Sequence, residues 1–199
     1  MTASADDLTG LDAAAATAAR WSARLGGLAV LGAALWVAAE VVVRNMPGDL
    51  TAGVKLHSFE ITNWLFASAT AFGFAFALTE RSHIRIDLLY AILPLPVRAV
   101  LDAASLTILA GMGGLMAYHG WGVVAQSAQL GAMPNSSLQV PMVLPQSLWA
   151  LGLTWFAAVA LLLAVQGLRR LFTGRFAELH AIAGAQTEGL PEDAEGPTP

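Results

Sequence analysis

The chain is 199 residues long, 56% hydrophobic and only 12% charged, against about 25% charged in a soluble domain, so an ordinary water-solvated globule is excluded and the bilayer is the implied solvent. Cysteine is absent, which removes disulfides, thiolate nucleophiles, iron–sulfur ligands and Cys-based zinc sites together. The formal net charge of -4 reflects acids gathered toward the two ends, and no basic run suited to nucleic acid occurs.

Residues 1–19 are rich in Ala, Thr and Asp and read as a cytoplasmic N-terminal tail, with helical potential over 12–19 from its alanines. Asp6, Asp7 and Asp12 come before the first basic residue, Arg20, a charge order that argues against a secretory signal peptide. The first apolar segment, 25–43, lies between Arg20 and Arg24 on one side and Arg44 on the other. It holds one charge, Glu40, four residues before Arg44, so the two share a helix face and are expected to pair at the membrane interface or to contact a partner subunit.

A loop over 45–58 follows, with Pro47, Gly48, Gly53, Lys55 and His57. Glu60 opens the second apolar segment, 61–78. An acid there is favoured by the helix macrodipole and can accept free first-turn N–H groups, or it can serve a partner. The charged turn Glu80-Arg81-Ser82-His83-Ile84-Arg85-Ile86-Asp87 comes next. If helical, it stacks His83 over Asp87 and Arg81 over Arg85, with Ile84, Leu88, Leu89 and Ile92 opposite, as in an amphipathic helix lying in the headgroup layer. It stops at Pro94-Leu95-Pro96. The His83–Asp87 pair has only Ser82 nearby as a nucleophile and no oxyanion-hole motif, so it is read as structural and the chain as no enzyme.

The third segment, 99–125, is longer than one bilayer thickness and is expected to tilt or protrude. Asp102 is near its start, Gly111, Gly113 and Gly114 allow close packing near its middle, and His119 is near its far end. An uncharged loop over 126–140 leads to Pro141 and Pro145, suited to a helix first turn, and to a fourth apolar core, 147–165, closed by Arg169, Arg170 and Arg175. The expected organisation is an all-α integral membrane fold with spans at about 21–44, 59–79, 97–126 and 141–169 inside a domain of 20–172. Residues 173–199 are expected to be a disordered cytoplasmic tail, most clearly over 188–199.

Four spans put both termini on one side. That side collects Arg20, Arg24, Arg81, Arg85, Arg98, Arg169, Arg170 and Arg175, leaving only Arg44 and Lys55 opposite, so the positive-inside rule makes both termini cytoplasmic. The span centres are Ala, Leu, Val, Phe and Gly. The main deep polar groups, Thr70, Ser105 and Thr107, can each bond their own helix backbone. No internal repeat or broken helix of the kind a transporter uses is visible. The expectation is an auxiliary bundle that holds a companion.

The residue pattern resembles the small membrane subunit of the tripartite ATP-independent periplasmic (TRAP) transporters, the DctQ-like family. The likeness rests on Arg44 closing span one, Glu60 opening span two, and Gly73 in its second half. It rests most on His83-Ile84-Arg85-Ile86-Asp87-Leu88-Leu89 followed by Leu93-Pro94 and Arg98, with Pro141 and Pro145 before span four. It covers about 20–172, and His57 stands where that family often has Trp. The resemblance implies a bacterial inner-membrane protein, with a large permease subunit and a periplasmic substrate-binding protein as partners and lipid around it. It also implies sodium-coupled uptake of an organic acid, with no cofactor. The rival is a haem b anchor of a respiratory complex, holding haem between His57 and His119 on the outer side. A structural subunit of another assembly is the third reading.

Overall fold

A computed structural model describes residues 5–45, 58–80, 93–135, 139–176 and 178–179. It contains four helices, α1 (Ala5–Arg44), α2 (Ser58–Thr79), α3 (Leu95–Leu130) and α4 (Val143–Phe172), and no strand among the described residues. All four are long and apolar enough to cross a membrane, in agreement with the four expected spans. The expected interfacial helix, with His83, Arg85 and Asp87, lies outside the described residues, as does the loop carrying His57.

Local chemistry sets the helix ends. Pro94 caps α3 in an extended conformation (φ -65, ψ 149), and a proline occupies the first turn, where the missing N–H costs nothing. Gly131 ends α3 in the left-handed region (φ 57), and its N–H bonds to the carbonyls of Ser127 and Ala128. Pro145 lies in the first turn of α4, and Pro141 accepts the N–H of Leu144. Gly174, at φ 72, turns the chain after α4.

The helices form an open row in the order α1, α2, α4, α3. Antiparallel α1 and α2 meet where Gly26 lies on Ala69 and the Ser22 hydroxyl donates to the Phe72 carbonyl at 3.5 Å. The α2–α4 seam is parallel, with Gly152 against Ala71 and the Phe74 ring 5.7 Å from the Phe156 ring. Antiparallel α3 and α4 meet through Gly113 on Phe156 and Gly120 on Leu153, and Trp121 Nε1 donates to Thr154 Oγ1 at 3.0 Å. Small residues dominate these seams because lipid tails are as apolar as the helices, so close van der Waals packing must hold the spans together. The edge helix α1 is the least covered, with 6% of its most apolar stretch buried against 39% for α4.

Two expected boundaries change. The N-terminal tail 1–19 is helical from Ala5, continuous with the first span, and Ala19 is fully buried. At 40 residues and about 1.5 Å of rise each, α1 far exceeds the roughly 30 Å hydrocarbon core. At the other end, the chain does not leave the fold at Phe172. Leu179 is fully buried in the same cluster as Ala99, Ala103 and Leu106, because the turn at Gly174 folds the chain back onto α3 and α4.

Candidate functional site

The two ends of the row differ in chemistry. The starts of α1 and α3 and the ends of α2 and α4 form an arginine end. Arg20 there pairs with Glu80 at 3.0 Å in the open, an exposed bridge of small energetic weight. Arg170 donates from Nη1 to Gln166 Oε1 at 3.0 Å and lies 3.9 Å from Glu178, which also holds Arg175 at 2.6 Å. Gln166 and Asp102 are almost wholly buried here, and neither is without a partner. This network carries Glu178 and Leu179 against the layer. Sequence reasoning missed Gln166, although its place four residues before Arg170 was a legible signal.

The opposite end carries Glu40, Arg44, Glu60, Pro141 and Pro145. The expected ion pair between Glu40 and Arg44 does not form. Arg44 is exposed, while Glu40 is half-buried with Oε2 buried and unpartnered. An exposed Arg gains little from such a pair in exchange for its rotamer freedom. Glu60 is half-buried, and its Oε2 is also buried without a hydrogen-bond partner, so that oxygen accepts no first-turn N–H. Thr62 Oγ1 and Gln146 Oε1 are in the same condition. Gln146 lies in the first turn of α4, beside Pro145, and was not singled out in the sequence.

Of the remaining expected residues, Gly73 is half-buried with open space where a Cβ would stand, so it makes no close approach inside this chain. Gly111 and Gly114 likewise face open space, and only Gly113 of that trio packs on α4. His119 is exposed, edge-on to Tyr118 with ring centroids 5.3 Å apart. It lines an apolar groove of about 340 Å³ with Met112, Met116, Trp149 and Leu153. The midspan hydroxyls behave as the sequence implies: Thr70 donates to the Phe66 carbonyl, Ser105 to that of Asp102 and Thr107 to that of Ala103. Among the described residues, no group of three or more His, Cys, Asp or Glu side chains could hold a metal ion.

The charged side chains of the described residues are gathered toward the ends of the row. A family model for the DctQ component of tripartite ATP-independent periplasmic transporters matches residues 15–171. No curated protein and no solved structure matches the chain. The matched region starts within α1 and ends one residue short of the end of α4, so the whole four-helix layer is the family's unit. The chain therefore belongs to the DctQ family and is a small permease subunit of a TRAP transporter.

Proposed function

We propose that the chain braces the large permease subunit of a TRAP transporter in the bacterial inner membrane and helps dock the periplasmic binding protein. The transport served is sodium-coupled uptake of an organic acid. Both termini are cytoplasmic, as the arginine end and the positive-inside rule support. The observation that carries this reading is the fate of the midspan hydroxyls. Thr70, Ser105 and Thr107 are each turned back onto their own helix, and the unpartnered Ser68 hydroxyl and Trp155 N–H add no charged group at the depth where a carrier would need a substrate site. Broad apolar faces and an edge helix covered on one side suit a scaffold that widens a companion's footprint in lipid.

The test is reconstitution. Proteoliposomes holding this chain alone show no solute flux under a sodium gradient. Those holding it with the large subunit take up substrate when the loaded binding protein is added, and omission of this chain abolishes uptake. Flux by the isolated chain, or full uptake without it, overturns the proposal.

A further inference from the structure

The end of the row carrying Glu60 has acceptors without donors. Glu60 Oε2 is buried and unpartnered, and it stands three turns before Ala71, on the face that α2 turns to α4; Gln146 Oε1 is also unpartnered but shares a stripe with Ala150 and Leu153, which meet Gly120 of α3. The register that sets Ala71 on Gly152 and Phe74 on Phe156 also carries Glu60 to the level at which α4 begins. Eight residues beyond Glu60, on the stripe of Glu60 and Trp64, Ser68 is 5% exposed and its hydroxyl is also unpartnered. Lipid supplies no donors to such groups. Arg44, the described cation at this end, forms no ion pair with Glu40 or Glu60.

We propose that the α2–α4 seam at Glu60 is a socket for one cationic side chain, an arginine or lysine on a membrane helix of the large permease subunit. Glu60 is its charged acceptor. This rests on the small-subunit reading above. The sign follows from the inventory, since a carboxylate oxygen lacking donors is matched by a group that only donates, a guanidinium or ammonium. A metal ion is disfavoured because the described residues offer no three-ligand acidic or histidine group. A water-soluble partner is disfavoured by the surroundings: Phe59, next to Glu60 in the chain, is 78% exposed. A polar centre inside an apolar rim is the form of a helix contact within the bilayer, where an ionisable group is retained for its partner.

The proposal requires Glu60 to act with opposite sign in the free and assembled states. The full-length chain is melted alone in detergent and, separately, titrated against the purified large subunit. Glu60→Met removes an unmatched buried acceptor from the free chain, so its melting temperature is no lower than wild type. The same variant strands a buried cation on the partner, so affinity for the large subunit falls by ~30-fold or more. Glu60→Gln, which keeps the shape, weakens assembly in the same direction. A cysteine at Phe59, unique in this Cys-free chain, crosslinks to the large subunit. Assembly of Glu60→Met at wild-type affinity overturns the socket. So does a drop in the free chain's melting temperature, which makes Glu60 an internal structural group. So does a rise in that temperature with sodium over potassium, which makes an ion the occupant. If the wild-type chain itself fails to bind the large subunit, the small-subunit reading falls, a different result from wild-type binding that Glu60→Met retains.

Discussion

A hydrogen atom is all that position 152 can carry. A Cβ built on Gly152 would stand 2.7 Å from the Ala71 Cβ and 3.1 Å from the backbone of Ala71 and Phe72. Backbone does not yield as a flexible side-chain tip would, so Gly152→Ala forces α2 and α4 apart. The expected cost is about 1–3 kcal/mol, read as a lower melting temperature in detergent. Gly111→Ala and Gly114→Ala meet open space and replace a poor helix former, so they leave stability unchanged or raise it by up to about 1 kcal/mol. Equal losses at 111 and 152 would refute this division. The sequence showed that glycines cluster in span three but not which of them matters. Successive residues turn by about 100°, so Gly111 and Gly114 lie away from the face on which Gly113 meets Phe156. Gly152 stands alone among larger residues and left no pattern to read, and its role depends on Ala71, far away in the chain. The Glu40–Arg44 spacing was legible and misleading: a shared helix face permits a pair without enforcing it.

Between Gly174 and Leu179 a short piece of chain acts as a clasp. Leu179 is fully buried, within 3.3 Å of a Cβ built on Gly167, and Glu178 bridges Arg175 and Arg170 beside it. Leu179→Ala empties a closed notch in the core cluster and is expected to cost roughly 2–5 kcal/mol, seen as a lower melting temperature. No change would mean that the leucine only rests on the surface. The helices themselves were legible because length and apolarity decide a span. Their starts were legible where Pro94 and Pro145 stand, but α3 runs past the expected end at 126, through the start of the expected loop, to its cap at Gly131. The clasp was not, since one leucine among Arg175, Glu178 and a helix-stopping Thr-Gly pair looks like the start of a tail. The length of α1 was half-legible: alanine favours helix, but nothing local says that Ala19 is buried.

Across the whole molecule, the alternating directions of the four helices followed from their number, but their order in the row did not. The pairing of α2 with α4 depends on contacts between Ala71 and Gly152 that no periodicity announces. The likeness to the family rests most, in the sequence, on the stretch with Arg85 and Asp87, whose proposed role belongs at this scale. The double variant Arg85→Ala with Asp87→Ala is expected to lower uptake or complex yield by about tenfold, in the range of a lost anchoring contact, with substrate capture by the binding protein intact. Normal uptake counts against an anchoring role. The row also has a consequence for biogenesis. Because α1 pairs with α2 and α3 with α4, the chain is two antiparallel hairpins joined by the parallel α2–α4 seam. The α1–α2 hairpin can leave the translocation machinery as a finished unit while α3 and α4 are still being synthesised. The final docking step is then a lateral, lipid-displacing association of two preformed halves, decided at a strip one glycine wide.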